Sequence, residues 1–98
     1  MADFQTLLEG YRRFRETGYP AQKARYDELA SGQSPGTMVI GCSDSRVSPS
    51  LIFDAGPGEI FSVRNVANLV PPFDPSGGLH GVSSALEFAV TQLEVSDI

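Results

Sequence analysis

The sequence has little of the chemistry on which disulfide frameworks and metal sites depend. Its 98 residues contain one cysteine, one histidine and no tryptophan. A single cysteine cannot form an internal disulfide and favours a reducing compartment, so we expect a cytoplasmic protein. One cysteine and one histidine also cannot complete a Cys/His zinc site by themselves.

Long apolar runs are missing as well. No stretch approaches the roughly 20 residues that a membrane-spanning helix needs, and the start at residues 1–4 does not resemble a signal peptide. With 41% hydrophobic and 19% charged residues, the composition is that of an ordinary globular protein large enough for one small domain. We therefore expect no membrane partner.

Basic residues are scarce after residue 31. Residues 1–31 carry five basic and five acidic side chains, whereas residues 32–98 carry only Arg46 and Arg64 against seven acidic ones. The whole net charge of −5 therefore lies in the second segment, and an acidic surface repels the phosphates of nucleic acids. We expect no nucleic-acid binding, and we expect the two arginines to have specific partners. Ordinary surface ion pairs are the alternative interpretation.

The first 31 residues are predicted to form a helical arm. Apolar residues recur there at a spacing of three and four, at Phe4, Leu7, Leu8, Tyr11 and Phe14. This spacing predicts an amphipathic helix over residues 3–17, ended by Gly18 and Pro20. Pro20 then suits the first turn of a second helix, predicted over residues 21–30. The apolar stripe must lie on the protein's own sheet or on a partner subunit, and we favour the partner.

From residue 32 onward the pattern is that of a parallel α/β sheet. A short apolar run at 37–41, bounded by glycines, predicts a fully buried strand, and residues 60–63, after the turn at Gly56–Gly58, predict a second strand. Residues 69–78 are rich in proline and glycine and predict a loop, and Leu79 begins a predicted helix of about 15 residues. Residues 94–98 then predict the start of another strand. Strands alternating with helices are typical of parallel sheets with flanking helices.

The segment from Gly41 to Arg46 follows the first predicted strand directly. Open α/β sheets bind ligands at this carboxyl end of a strand. Cys42, Asp44 and Arg46 occupy alternate positions, so on an extended segment they would share one face. We expect Asp44 and Arg46 to pair through charge-assisted hydrogen bonds, which would keep the carboxylate ionised.

The residues alone leave the chemistry of this segment open. One interpretation is a buried structural cysteine beside a loop salt bridge. A phosphatase-like nucleophile is disfavoured, because Arg46 lies only four residues after Cys42 and no glycine separates them. The remaining interpretation is a thiolate metal ligand with a nearby carboxylate.

This segment is the first of five short motifs that are spread over the rest of the chain. They are Cys42–Arg46, Pro49–Ser50, Pro57–Glu59, Val63–Asn68 and Ser84–Ala89. In their order and spacing, these motifs make the sequence from Gly32 to Ile98 resemble the β-class carbonic anhydrases of the plant-like branch. The resemblance implies an incomplete β-carbonic anhydrase fold, in which residues 1–31 are an N-terminal helical arm and residues 32–98 are the N-terminal half of the α/β catalytic domain.

The resemblance also implies a reaction, the zinc-dependent reversible hydration of carbon dioxide to bicarbonate. In that family the cysteine that matches Cys42 is a thiolate ligand of the zinc ion. The aspartate that matches Asp44 either pairs with the arginine that matches Arg46, leaving one zinc position to water, or binds the metal itself. Asp44 and Arg46 are thus the implied catalytic residues, and Cys42 and Asp44 the implied metal ligands.

Four further positions are implied to bind substrate. Gln33 resembles the substrate-side glutamine of the family, while Phe61, Val66 and Phe88 fall where it lines its pocket, partly across a dimer interface. The family usually has tyrosine at the position of Phe88. Without the resemblance, Phe61 on a strand and Phe88 on a helix are more often ordinary core residues. The resemblance implies a homodimer or a higher even oligomer.

The family's other zinc ligands are a histidine and a cysteine, which we expect beyond residue 98. His80, at the entry of the last predicted helix, is not at a ligand position of the family and is expected to be a cap or a surface residue. Three hypotheses follow: a carbonic anhydrase of which this chain is part, a non-catalytic fragment or interaction module of the same fold, and an enzyme whose missing ligands come from another chain.

Overall fold

The computed structural model describes residues 2–98, which divide into two compact units. The first unit ends at Gly32 and is helical, and the second, Gln33–Ile98, contains the sheet. No helix within residues 2–98 is both long enough and apolar enough to cross a membrane.

The first unit is a series of short helical segments. Helix α1 (Phe4–Arg13) begins after Asp3, whose carboxylate accepts hydrogen bonds of 2.8 Å from both the backbone N–H and the hydroxyl of Thr6. This contact satisfies one of the free N–H groups at the start of a helix. A π-helical turn (Phe14–Gly18), helix α2 (Tyr19–Ala21) and helix α3 (Lys23–Leu29) follow.

The prediction that Gly18 and Pro20 end the first helix is wrong. Helical backbone continues through both residues, because the π-helical turn shifts the hydrogen-bond ladder: the N–H of Tyr19 donates to the carbonyl of Phe14, five residues back. Pro20 then lies in the first turn of α2, where a missing N–H costs little. A Cβ atom on Gly18 would lie 3.2 Å from the ring of Phe14, so glycine leaves room for that ring.

Aromatic rings hold the helical unit together. The ring centroids of Phe14, Tyr19 and Tyr26 lie 5.2–6.1 Å apart in tilted and edge-on arrangements. The apolar stripe of α1 lies largely outside this cluster, since Phe4 is 75% exposed and Leu7 is 61% exposed. Within the described residues the stripe is therefore largely uncovered.

The sheet of the second unit consists of two parallel strands, β1 (Thr37–Cys42) and β2 (Ile60–Asn65). Both were expected from the sequence, and each runs slightly further toward its carboxyl end than the apolar run. Cys42 pairs with Asn65 in the register, so both strands end at the same edge of the sheet. The loops that follow β1 and β2 therefore lie close to each other.

The start of a third strand is present as a single bridge. Thr37 forms a parallel bridge with Asp97, and the N–H of Met38 donates to the carbonyl of Asp97 at 2.9 Å. Strand β1 was expected to be fully buried, but in β1 only Met38 is buried, at 1% exposure. Its neighbours are half-buried because an open apolar depression of about 430 Å³, lined in part by Val39 and Ile98, runs along the strand.

Two helices complete the second unit. The single-turn helix α4 (Pro49–Ile52) was not predicted, because one turn is too short to show a periodicity. Helix α5 (Gly81–Thr91) is shorter than predicted: His80 has non-helical backbone angles, and Glu94 adopts a left-handed φ of 52° beyond its other end. Ser83 and Ala89 form its buried face, at 5% and 0% exposure.

Candidate functional site

The thiol of Cys42 lies at the end of β1, half-buried. The backbone N–H of Asp44 points at its sulfur, with 3.5 Å between N and Sγ. This N–H, followed by that of Ala67, lowers the pKa of the Cys42 thiol, because N–H dipoles favour the charged sulfur. The local backbone thus favours the thiolate, which is the form of cysteine that binds metals.

A second backbone segment approaches Cys42 from the end of β2. The 3₁₀-helical turn Val66–Asn68 contains two left-handed residues in a row, Ala67 with a φ of 65° and Asn68 with a φ of 47°. This conformation costs an alanine roughly 1–2 kcal/mol, so surrounding contacts must maintain it. The side-chain amide of Asn65 does so by bonding both backbone groups of Leu69, at 2.9 and 2.6 Å.

Asp44 and Arg46 form the pair expected from the sequence. The guanidinium donates from Nε to Asp44 Oδ1 at 3.0 Å and from Nη2 to Oδ2 at 2.6 Å. The segment is a turn rather than extended, since the backbone N–H of Arg46 also donates to Oδ1 at 2.8 Å. The hydrogen bonds from the Arg46 side chain are the main cause that lowers the pKa of the Asp44 carboxyl.

The Asp44–Arg46 pair is exposed to solvent, which limits its contribution to the stability of the fold. The Arg46 side chain is 85% exposed and that of Asp44 is 31% exposed. A salt bridge so open to solvent contributes little to folding. Its bidentate geometry nevertheless fixes the plane and direction of the carboxylate. An oriented carboxylate is useful for catalysis, whereas the stability of the fold does not depend on it.

Arg64 binds the backbone of the same loop, a role that the sequence analysis did not assign to it. Its Nε donates to the carbonyl of Cys42 at 2.8 Å and its Nη2 to the carbonyl of Asp44 at 2.6 Å. The expectation that Arg46 and Arg64 have specific partners is therefore confirmed. The predicted parallel sheet could have indicated this contact, because the carboxyl ends of parallel strands meet at one edge and Arg64 lies near the end of β2.

The residues expected to bind substrate are brought together only in part. Phe61 on β2 and Phe88 on α5 are in ring contact, with centroids 5.8 Å apart. Val66 is 80% exposed in the turn whose N–H groups favour the Cys42 thiolate. Gln33 is exposed at the start of the second unit, and within residues 2–98 it makes no hydrogen bond to these side chains.

His80 is engaged away from Cys42, at the start of α5. Its Nε2 lies 2.9 Å from the hydroxyl of Ser76 and 3.3 Å from Oδ2 of Asp74. This arrangement ties the proline-rich loop to the entry of the helix. It agrees with the expectation that His80 is a cap or surface residue.

The residues at the site fit part of a zinc centre. A thiolate favoured by its surroundings is a donor that zinc prefers, and Asp44 places a carboxylate two residues away. Among the described residues, however, no group of three or more histidine, cysteine, aspartate or glutamate side chains could hold a metal ion. A four-coordinate site would need ligands in addition to these.

Comparisons with known proteins agree with this geometry. A family model described as carbonic anhydrase matches residues 37–98. A carbonic anhydrase of Pseudomonas aeruginosa is 44% identical over 92 residues, which cover 94% of this chain and 41% of the relative.

Two solved structures share the fold. The β-carbonic anhydrase CcaA superimposes with a TM-score of 0.86 at 37% identity, covering 96% of this chain and 45% of that one. One of two tetrameric β-carbonic anhydrases of Sordaria macrospora gives a TM-score of 0.79 at 33% identity, covering 94% and 44%. The chain thus spans less than half the length of these relatives. Because the family model matches more than half of the chain and the structural neighbours are of the β class, this chain belongs to the β-class carbonic anhydrases.

Proposed function

We propose that this chain contributes the N-terminal part of the active site of an enzyme that reversibly hydrates carbon dioxide to bicarbonate and a proton. One observation carries the proposal: at the carboxyl edge of a parallel sheet, Asp44 directs its backbone N–H at the Cys42 sulfur while its carboxylate is bound by Arg46. Membership of the carbonic anhydrase family supports it.

The metal in this proposal is zinc, with Cys42 as one ligand. When bound, zinc would activate water for attack on carbon dioxide near neutral pH. We propose that the other protein ligands are a histidine and a cysteine beyond residue 98. The absence of a three-ligand group within residues 2–98 supports this, as does the greater length of the relatives.

Asp44 and Arg46 have separate tasks in the proposed site. The Asp44 carboxylate, kept ionised by Arg46, accepts a hydrogen bond from the attacking water and so orients it. Arg46 occupies both carboxylate oxygens and holds the group away from the metal position, which Asp44 would otherwise fill.

Carbon dioxide is small and apolar, and the chain offers matching side chains. The paired rings of Phe61 and Phe88, together with the exposed Val66, would form an apolar pocket wall. The amide of Gln33 would supply a polar contact to bicarbonate. Both the apolar wall and the Gln33 amide are uncharged, which suits a neutral substrate.

We also propose that the enzyme is a homodimer or a higher even oligomer in the cytoplasm. The support for assembly is the exposed stripe on α1, where Phe4, Leu7 and Tyr11 are each more than half exposed. One of the solved relatives is described as tetrameric. The support for the location is the free thiol of Cys42, which a reducing compartment would preserve.

The replacement Arg46→Ala tests the proposed function in the zinc-loaded enzyme that contains this chain. Without the guanidinium the carboxylate of Asp44 is free to leave its orientation, and a misplaced catalytic group costs about a hundredfold in rate. We expect stopped-flow measurements of carbon dioxide hydration to show at least that loss, with the zinc content unchanged.

The control is Arg25→Ala, which removes an arginine whose ion pair with Glu28 is an exposed one in the helical unit. It should hydrate carbon dioxide at the unaltered rate. Full activity of Arg46→Ala would refute the assigned roles. An unaltered enzyme that binds no zinc and has no activity would instead favour a non-catalytic interaction module.

A further inference from the structure

We infer that Arg64 is a positioning residue of the site: it fixes the backbone of the loop that carries Cys42 and Asp44, and so sets where the carboxylate stands relative to the sulfur. The inference rests on the proposed function and adds a residue to it. Arg64 bonds the carbonyl oxygens of Cys42 and Asp44 at 2.8 and 2.6 Å, across 22 and 20 residues of sequence.

The place of these bonds explains why the loop needs them. The sheet ladder between β1 and β2 continues as far as the N–H of Ser43, which donates to the carbonyl of Asn65 at 2.8 Å. Beyond Ser43 the chain leaves the sheet and enters the turn at Arg46. The guanidinium of Arg64 therefore extends the attachment of β1 to β2 past the end of the ladder.

Arginine suits this task better than other donors. Its planar group offers several N–H donors in a fixed geometry, so one side chain can bind two carbonyls at once. Hydrogen bonds from a charged donor are also about twice as strong as neutral ones. The Arg64 charge additionally contributes, after the hydrogen bonds from Arg46, to lowering the pKa of the Asp44 carboxyl.

Arg64 and Arg46 act on different parts of the same residue. Arg46 binds the side chain of Asp44, and Arg64 binds its backbone carbonyl. Without Arg64, the pair of Asp44 and Arg46 would persist, but the contact of 3.5 Å between the Asp44 N–H and the Cys42 sulfur and the local bond from the Val47 N–H to the Asp44 carbonyl would have to hold its position without any bond to β2. The expected defect is therefore a displaced pair and not a broken one.

The test replaces Arg64 by glutamine and by lysine in the zinc-loaded enzyme that contains this chain. We expect Arg64→Gln to unfold cooperatively and retain zinc, while kcat per bound zinc falls roughly ten- to a hundredfold, the range that lost charge-assisted hydrogen bonds give. KM should stay unchanged because the pocket side chains are untouched. Arg64→Lys, which can hold one carbonyl, should fall between glutamine and arginine.

A spectrum gives a readout that a purely structural role would not alter. In the cobalt(II)-substituted enzyme, the visible bands report the ligand geometry at the metal. We expect them to shift in Arg64→Gln and to shift less in Arg64→Lys. Arg25→Gln, in the helical unit, serves as the control and should leave both the rate and the spectrum unchanged.

The outcomes separate this inference from the function on which it rests. An unaltered enzyme without zinc or activity would refute the proposed function. An active unaltered enzyme whose Arg64→Gln variant has the same kcat per zinc and the same cobalt spectrum would overturn the positioning role alone. If Arg64→Gln does not fold, Arg64→Lys decides, and a wild-type spectrum and rate in that variant overturn the role equally.

Discussion

The two units of this chain differ in how far their charged side chains reach along the sequence. In the helical unit, charged groups pair along the helix: Lys23 with Asp27 and Arg25 with Glu28, three or four residues apart and open to solvent. In the sheet unit, Arg64 reaches across 20 and 22 residues to join the ends of two strands. Charges of the first kind follow local periodicity, whereas those of the second kind depend on the strand register.

This difference bears on function. Local, exposed pairs can be lost with little effect on the structure, because each partner remains well solvated. A guanidinium that binds two backbone carbonyls next to a candidate metal ligand joins the ends of two strands that are far apart in sequence. Substitutions in the two units should therefore differ in what they change, and the following experiments test that contrast in order of expected effect.

The largest effect should come from Cys42→Ser. A hydroxyl is a far poorer zinc ligand than a thiolate, so we expect zinc affinity to fall by more than the roughly 10- to 100-fold that outer-shell changes cause. Zinc content after dialysis against a weak chelator measures this. Ser43→Ala, in the next and exposed position, is the control. Retained zinc in Cys42→Ser would show that Cys42 is not a ligand.

A second effect, confined to assembly, should come from Leu7→Glu on α1. Leu7 is 61% exposed between Phe4 and Tyr11 on the apolar stripe, and a charge placed within a buried interface is strongly unfavourable. We expect self-association, measured by sedimentation velocity over a concentration series, to weaken at least about tenfold, since central interface residues contribute this much or more.

The matched control is Gln5→Glu, which makes the same change of charge at an exposed position outside the stripe. Association should be unaffected by it. Equal association of both variants with the unaltered protein would show that the stripe is not an interface between copies.

The sequence predicted the strands and the Asp44–Arg46 pair for local reasons. Strand β1 contains an apolar run bounded by glycines, β2 follows a turn with two glycines, and Asp44 and Arg46 are two residues apart. The family resemblance rested on motifs that the comparisons confirm at the level of family. In these cases the interactions that determine the structure are between residues close in sequence.

What the sequence did not predict depends on geometry that local patterns lack. Pro20 lies in the first turn of a helix, as expected, but the π-helical turn that carries helical backbone up to it was not predicted. The partners of Arg64 are backbone carbonyls, which leave no trace in residue types. The left-handed turn at Ala67 was equally invisible, since alanine rarely adopts that conformation.

A moderate effect should come from Asn65→Ala, which removes both bonds to Leu69 and frees the turn that faces Cys42. Two hydrogen bonds of net value 0.5–1.5 kcal/mol each suggest a loss of about 1–3 kcal/mol in the free energy of unfolding. Denaturant titration measures it. Asn65→Asp keeps an acceptor for the Leu69 N–H and should lose less. Equal losses in both variants would show that the donated bond carries the whole effect.

The smallest effect should come from Lys23→Gln. The Lys23 ammonium lies 2.7 Å from the Asp27 carboxylate, and its hydrogen bond to Asp27 raises the pKa of Lys23. Both side chains are more than half exposed, so solvent replaces the lost contact. We expect no measurable change in the unfolding midpoint or the hydration rate, at low or high salt. A lowered midpoint, or a hydration rate reduced as in Arg64→Gln, would mean that the helical unit's charges also hold distant atoms in place, and the contrast between the units would fail.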